Sequence, residues 1–174
     1  MSRRTTLIAL LFAGIAAAAL GVYIGHRATE PSAPADSAVA AFFGSKLPDA
    51  NGAPIDLNAF RGQPVVINFW APWCGPCVEE MPELSALAQE QKAKAKFVGI
   101  GIDTAANIQT FLSKIPVTYP VAVAGFGGTE LGRQFGNEAG GLPFTVILDA
   151  QGKISFRKMG RVHADELRRA LQRT

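Results

Sequence analysis

The chain has 174 residues, of which 48% are hydrophobic and 18% are charged, and its formal net charge at pH 7 is +3. This length is enough for one domain with its own hydrophobic core and too short for two. The basic residues are not clustered as they are in nucleic-acid-binding proteins, so nucleic acid is not an expected partner.

An uncharged apolar stretch covers residues 7–24 and follows Arg3 and Arg4. Positive charges before such a stretch keep the N-terminus in the cytoplasm and direct the rest of the chain across the membrane. The stretch is longer than the core of a typical signal peptide and reaches the length of a membrane-spanning helix. We therefore expect residues 1–25 to be a signal anchor in the inner membrane, with a cleaved signal peptide as the alternative, and the remaining chain to lie in the periplasm.

Residues 26–41 contain Pro31, Pro34 and several small residues, and they show no apolar periodicity. This composition predicts a flexible linker. The folded domain is accordingly predicted to cover residues 42–174.

Within this domain the sequence predicts a hairpin and then an alternation of strands and helices. The turn signal Asn51-Gly52 favours a hairpin over residues 46–57. Apolar runs and amphipathic periodicity predict the other elements. The predicted strands are 65–70, 97–102, 120–124, 144–148 and 154–158, and the predicted helices are 79–91, 108–115, 129–135 and 164–172. A parallel crossover followed by a final antiparallel hairpin predicts a mixed sheet covered by helices.

The motif Trp73-Cys74-Gly75-Pro76-Cys77 contains the chain's two cysteines and lies between a predicted strand and a predicted helix. At the helix N-terminus, backbone N–H groups and the helix dipole stabilise a thiolate on Cys74, the predicted nucleophile. Cys77, about one turn further on, is predicted to resolve the mixed disulfide. Pro76 suits the first helical turn, where the helix makes no hydrogen bond from its nitrogen.

Three other uses of the cysteine pair are a structural zinc site, a structural disulfide and Cu(I) binding. Zinc normally takes four ligands, whereas this chain offers the two cysteines, His26 and His163. A disulfide that closes so short a loop constrains the unfolded chain little. Cu(I) binding by the two thiolates with His163 stays an alternative because soft sulfur ligands select that ion.

Residues 60–84, which include this motif, resemble the TlpA/ResA/CcmG-like (DsbE-like) branch of the thioredoxin-fold proteins. Those proteins are membrane-tethered thiol:disulfide oxidoreductases of the bacterial cell envelope. The resemblance extends from Lys46 to the C-terminus, and Pro82 matches the proline within the family's active-site helix. It implies an α/β, thioredoxin-like fold, with a mixed central sheet flanked by helices, an N-terminal hairpin and a central helix–strand insertion over residues 103–140.

The resemblance also implies a substrate-binding surface around the cysteines. Leu142-Pro143 matches the loop whose cis proline packs beside the disulfide and offers an extended backbone edge to a substrate segment. Together with Trp73 and Pro76, these two residues are expected to bind the substrate. Phe144 stands where the family commonly has a small hydroxyl residue, and its bulk is expected to alter the groove.

Glu80 matches the family's acidic position and is the candidate catalytic base for Cys77, three residues earlier on the same helix. Asn68 occupies the position at which cytoplasmic thioredoxins carry a buried acid, and an amide cannot take up a proton. The alternative is that Glu79, Glu80 and Glu83 are solvated acids that complement the helix N-terminus.

The resemblance implies an envelope enzyme that reduces protein disulfides, such as the haem-binding cysteines of apocytochrome c, or copper-site thiols. Gly75-Pro76 between the cysteines is similar to the dipeptide of strongly reducing thioredoxins. The expected electron donor is a membrane protein of the DsbD/CcdA type. No cofactor other than the Cys74–Cys77 disulfide is expected, and no metal.

Two other functions are compatible with the same cysteine pair. A thiol peroxidase is the enzymatic alternative, because peroxiredoxins share the fold. Peroxiredoxins place a threonine shortly before the reactive cysteine, however, and Ala71-Pro72-Trp73 contains none. The non-enzymatic alternative is a Cu(I)-binding chaperone.

Overall fold

The computed structural model describes residues 34–174, so the predicted signal anchor and the first part of the predicted linker lie outside the described residues. Within residues 34–174, none of the helices has the length and apolar character needed to cross a membrane. The described residues form a single unit that begins at Pro34.

Strands and helices alternate along this unit, as the sequence predicts. The helices are α1 (Pro34–Gly44), α2 (Gly75–Glu90), α3 (Ala105–Leu112), α4 (Gly128–Gln134) and α5 (Ala164–Leu171). The strands are β1 (Val65–Trp70), β2 (Lys96–Gly101), β3 (Val121–Val123), β4 (Phe144–Leu148) and β5 (Ile154–Met159). The ends of the predicted elements agree with the observed ones to within four residues, and the largest difference is the start of α2.

The five strands form one mixed sheet in the order β3-β2-β1-β4-β5. β1 and β2 are parallel, as are β2 and β3, whereas β4 is antiparallel to both β1 and β5. Phe69 near the end of β1 therefore lies opposite Phe144 at the start of β4. This register places the loop after β1 and the loop before β4 at the same edge of the sheet.

Because side chains alternate along a strand, the two faces of the sheet bury different residues. The α2 face consists of Val66, Asn68 and Trp70 of β1 with Thr145 and Ile147 of β4, and it is covered by α2, α3 and α5. The α1 face consists of Val65, Ile67 and Phe69 with Phe144, Val146 and Leu148, and it is covered by α1 and the end of α4. The central sheet flanked by helices confirms the thioredoxin-like fold.

Helix α1 corrects the predicted domain boundary. Its side chains Ala38, Val39, Phe42 and Phe43 are buried, and the ring centroid of Phe42 lies 6.1 Å from that of Phe135. The helix contacts both α4 and the 3-10 turn Leu57–Phe60. The prediction of a flexible linker up to residue 41 is therefore wrong from residue 34 onward, because this segment forms part of the core.

The predicted N-terminal hairpin is present only as a tight antiparallel turn. Within the described chain, one isolated bridge joins Pro48 to Pro54, and the Asp49 carboxylate accepts the N–H groups of Asn51 and Ala53 at 2.8 and 2.9 Å. The backbone N–H groups of Asp49 and Ile55 also donate to carbonyl oxygens across the turn, at 2.7 and 3.0 Å. A short strand pairing and the Asp49 side chain therefore close the turn together.

Candidate active site

The cysteine pair lies at the N-terminus of α2, where β1 ends at the edge of the sheet. Cys74 is the N-cap residue, and its sulfur accepts a hydrogen bond from the backbone N–H of Cys77 at 3.3 Å. The two cysteines form a disulfide. Cys74 is 6% exposed and Cys77 is fully buried, so an incoming sulfur atom can approach only Cys74. Pro76 lies in the first turn of α2.

The peptide bond between Leu142 and Pro143 is cis, as the resemblance implies. Pro143 is buried, and its carbonyl oxygen accepts a hydrogen bond from the N–H of Gly160 at 2.8 Å. Leu142 is half-buried and packs against the cluster that contains both cysteines. The loop is thus fixed beside the disulfide by the end of β5.

Large exposed apolar side chains surround this edge of the sheet. Trp73 is 66% exposed next to Cys74, whereas Trp70, three residues earlier, is fully buried. Two further exposed side chains lie at the same edge of the sheet: Phe126, shortly after the end of β3, and Met159, the last residue of β5. The position of Trp73 suits the predicted contact with a substrate protein.

Phe144 does not alter the groove as expected. Its side chain is buried in the α1 face, where its ring centroid lies 5.8 Å from that of Phe69. The next residue, Thr145, points to the α2 face instead, and its hydroxyl oxygen accepts a hydrogen bond from Asn68 Nδ2 at 3.1 Å. The hydroxyl group near the site therefore comes one residue later than the resemblance implies.

Glu80 lies in the second turn of α2, and its side chain is fully buried. Its Oε1 accepts a hydrogen bond from Asn68 Nδ2 at 2.7 Å, and its Oε2 accepts one from the backbone N–H of Val162 at 2.8 Å. Burial raises the pKa of Glu80 above its usual range, although both hydrogen bonds and the nearby Arg161 act in the opposite direction. The interpretation of Glu80 as a solvated acid is wrong.

The neighbouring carboxylates are more exposed and bind the loop that precedes α5. Arg161 donates to Glu79 Oε2 at 2.8 Å and to Glu83 Oε1 at 3.1 Å. Glu83 also accepts the backbone N–H of Ala164 at 3.2 Å, and this bond is the main reason why its pKa lies below the usual range. Three carboxylates of one helix therefore hold one loop.

Sequence reasoning did not identify Thr145, Arg161 or Val162 as neighbours of the site. Thr145 is 77 residues from Asn68, and Val162 is 82 residues from Glu80. Local patterns carry no information about contacts at such separations. The one available signal is the alternation along β4, which places Thr145 on the face opposite to Phe144.

Within residues 34–174, no group of three or more histidine, cysteine, aspartate or glutamate side chains is arranged to hold a metal ion. His163 lies beside Glu83, with 3.6 Å between Nδ1 and Oε2, and its side chain is largely exposed.

A disulfide between a cysteine at a helix N-terminus and a buried second cysteine, with a cis proline in the loop whose Leu142 packs on the same cluster, is the arrangement of a thiol:disulfide oxidoreductase on this fold. The Redoxin family model matches residues 28–171, which is most of the chain. The protein therefore belongs to the Redoxin family.

Comparison with individual proteins narrows the assignment within the family. The chain is 30% identical to the thiol-disulfide oxidoreductase ResA of Geobacillus thermodenitrificans over 97% of this chain and 92% of that one. The structure of dsbF from Mycobacterium tuberculosis is similar with a TM-score of 0.66 and 27% identity, over 76% of this chain and 96% of that one. A secreted thiol-disulfide isomerase from Corynebacterium glutamicum is similar with a TM-score of 0.63 and 25% identity, over 72% and 82%. The resemblance to the TlpA/ResA/CcmG-like branch is confirmed.

Proposed function

We propose that this oxidoreductase reduces disulfides of proteins in the bacterial cell envelope. The observation that carries the proposal is the difference between the two sulfur atoms. Cys74 is partly accessible to solvent beside the exposed Trp73, whereas Cys77, in the first turn of α2, is fully buried. A protein disulfide can therefore react at Cys74 and be released only when Cys77 attacks from inside the protein.

The environment of Cys74 favours a reductant over an oxidant. A strongly oxidising couple requires a strongly stabilised reduced form. Among residues 34–174, the one hydrogen bond accepted by the Cys74 sulfur comes from a neutral backbone N–H. Glu80 follows Cys77 by three residues on α2 and is fully buried, and a negative charge on such a neighbour does not stabilise a thiolate. Beyond the helix N-terminus, no further hydrogen bond to the Cys74 sulfur is found among residues 34–174, so strong additional stabilisation of the reduced form is not expected.

The reaction follows from this arrangement in two steps. The Cys74 thiolate attacks one sulfur of the substrate disulfide, that S–S bond breaks, and the first substrate thiolate leaves and takes up a proton. Glu80 then accepts the proton of Cys77, and the Cys77 thiolate attacks the Cys74 sulfur. The second substrate thiolate leaves and is protonated. Two electrons have passed to the substrate, and the Cys74–Cys77 disulfide has formed.

The cellular setting is proposed from the sequence and from the relatives. A positively charged start followed by the apolar residues 7–24 supports an inner-membrane anchor with the domain in the periplasm. A secreted relative of the same fold supports an extracytoplasmic location. The proposed clients are the haem-binding cysteines of apocytochrome c or copper-site thiols, and the proposed electron donor is a membrane protein of the DsbD/CcdA type.

The reduction potential tests the proposal. We expect the full-length protein in detergent to reduce insulin and to have a potential nearer to that of thioredoxin, about −270 mV, than to that of DsbA, about −120 mV. The measurement is equilibration with a dithiothreitol redox buffer, read by thiol alkylation. A potential near the DsbA value contradicts a reducing role. Tight Cu(I) binding in an anaerobic titration, without insulin reduction, would instead favour the chaperone.

A further inference from the structure

We propose that Arg161 is a positioning residue for the reaction of Cys77. Its guanidinium group ties the loop between β5 and α5 to helix α2, and this attachment keeps the backbone N–H of Val162 on the carboxylate of Glu80. The inference rests on the proposed function, in which the S–H bond of Cys77 breaks, its proton passes to Glu80 and its sulfur bonds to Cys74.

The guanidinium group of Arg161 bridges two carboxylates of α2. Its two terminal nitrogens donate to different carboxylates, Glu79 at 2.8 Å and Glu83 at 3.1 Å. Glu79 and Glu83 are one helical turn apart and lie on either side of Glu80 in the sequence. The planar guanidinium can bridge both, which an ammonium group cannot do with the same geometry. Arg161 therefore holds the segment of α2 that carries Glu80.

The ion pairs of Arg161 also fix the position of the next residue, Val162. Val162 is fully buried, and its N–H donates to Glu80 Oε2 at 2.8 Å. Since Arg161 and Val162 are consecutive, the ion pairs on one fix the backbone of the other. The N–H of Ala164 adds a longer bond to Glu83 at 3.2 Å. Without Arg161, the loop is attached to α2 by the two backbone hydrogen bonds, by the packing of Val162 and by the contact of His163 with Glu83 at 3.6 Å.

The charged groups around Glu80 affect how much of it is ionised. Arg161 is the cation that acts on it from the loop, and Glu83 is the like charge on its own helix. The buried phenol of Tyr119 interacts electrostatically with Glu80, Asn68 donates to it from β1, and Cys77 is three residues earlier on the same helix. Burial raises the pKa of Glu80, and both Arg161 and the Val162 N–H oppose that rise. Loss of Arg161 should leave less carboxylate at neutral pH to accept the Cys77 proton.

The molecule contains a matched control for a merely structural role. Arg168 also bridges two carboxylates: it ties α5 to α2 through Glu90 at 2.7 Å, and it pairs with Asp165 of its own helix. The side chains of the two arginines are similarly exposed, 34% for Arg161 and 36% for Arg168. The difference is that Arg168 pairs with the last residue of α2, Glu90, ten residues after Glu80, whereas the two partners of Arg161 lie on either side of Glu80 in the sequence.

The test is the pH dependence of Cys77 attack in the full-length protein. Reduced protein in detergent is mixed with 5,5′-dithiobis(2-nitrobenzoate) in a stopped-flow instrument. The first thionitrobenzoate is released when Cys74 reacts, and the second when Cys77 resolves the mixed disulfide. We expect Arg161→Met to slow only the second phase at pH 7, by about threefold or more, a small share of the about 10²- to 10⁴-fold that a positioned base contributes. Its pH midpoint should move to higher pH.

Two further variants keep the result interpretable. Arg161→Lys retains the charge and should return the pH midpoint toward that of the wild type. Arg161→Gln retains hydrogen bonding to Glu83 and decides the question if Arg161→Met does not fold, which far-UV circular dichroism will show. Arg168→Met should leave both phases unchanged.

The outcomes separate this inference from the function on which it rests. Glu80→Gln should slow the second phase at pH 7 by about 10²-fold or more and shift its pH dependence to that of the ionisation of the Cys77 thiol itself. If it does so while the Arg161 variants match the wild type, the positioning role is overturned and the role of Glu80 stands. An unchanged pH profile in Glu80→Gln overturns both. Failure to reduce insulin, measured separately, overturns the proposed direction of electron flow.

Discussion

The two faces of the sheet have the same architecture and opposite chemistry. The α2 face contains both cysteines, Glu80, Asn68 and Thr145, and every one of these polar side chains is buried. The α1 face is filled by aromatic and aliphatic side chains from β1, β4 and α1. Burying polar groups costs free energy unless they are hydrogen-bonded, whereas apolar burial stabilises the fold directly. The comparison indicates that one face carries the chemistry and the other much of the stability.

Removing the nucleophile gives the sharpest separation between the faces. We expect Cys74→Ser to abolish insulin reduction, because Cys77 is buried and cannot meet the substrate. Serine is a favourable N-cap residue, so the free energy of unfolding of the reduced protein should change by only a few tenths of a kcal/mol, about the scatter of neutral surface changes. The matched variant Cys77→Ser should trap a protein substrate on Cys74 as a mixed disulfide. Insulin reduction by Cys74→Ser would contradict the assignment.

On the other face, Phe42→Ala should separate stability from activity in the opposite sense. Phe42 is fully buried between Phe43 and Phe135, so its truncation should lower the free energy of unfolding by about 3–5 kcal/mol. Urea unfolding measures this loss. The reduction potential of the molecules that remain folded should match the wild type.

Phe126→Ala is the control for Phe42→Ala, because it removes the same group from a side chain that is 72% exposed. Its unfolding free energy should stay within about 0.5 kcal/mol of the wild type. Equal destabilisation by the two variants would show that α1 is not part of the core.

Stability against pH tests whether the polar face is maintained at a cost. The usual pKa of Glu80 is 4.5, and burial raises it in the folded protein. Folding therefore favours the protonated form, and the stability it contributes is present at low pH and lost as the pH rises from 4.5 through the raised pKa. The Glu80→Gln variant, which has no carboxyl group to ionise at this position, should not lose stability in this way as the pH rises. Parallel unfolding free energies of wild type and variant at all pH values would contradict the burial argument.

The smallest predicted effect concerns the rim of the polar face. Trp73→Ala should raise KM for insulin by about three- to tenfold, as expected for truncation of an exposed aromatic contact. The rate with a small disulfide reagent should not change, since such a reagent needs only Cys74. Steady-state kinetics with the two substrates provide the measurement. Equal effects on the two substrates would show that Trp73 affects the reactivity of Cys74 rather than the docking of a protein substrate.

The sequence predicted the sheet well because its signals are local. The apolar runs that form β1 and β4 end where the structure ends them, at Trp70 and Leu148. Helix α1 was missed although Ala38 and Phe42, and Val39 and Phe43, are each four residues apart. The boundary predicted at residue 42 cut through that pattern, and the small residues and Pro34 concealed the rest. Fold class could be predicted, but not where the domain begins.

The site was predictable only in its local part. Cys74, Cys77 and Glu80 lie on one helix, so their spacing alone suggested a shared role. Whether Glu80 was buried or solvated could not be decided from its own segment, because Val162 comes from a distant part of the chain. The expected effect of Phe144 was wrong for a related reason, since the pairing of β4 decides which face that side chain occupies.

The hydrogen bond between Val162 and Glu80 has a consequence for the order of assembly. The cysteines and the whole of α2 precede Val162 by more than 70 residues. A chain clipped before Arg161 would keep both thiols and their helix, but its buried carboxylate would lack its backbone donor and its cation. The redox centre is therefore completed by a segment that is synthesised more than 70 residues after the cysteines and their helix. An immature or C-terminally degraded molecule should carry thiols without the controlled reactivity of the finished enzyme.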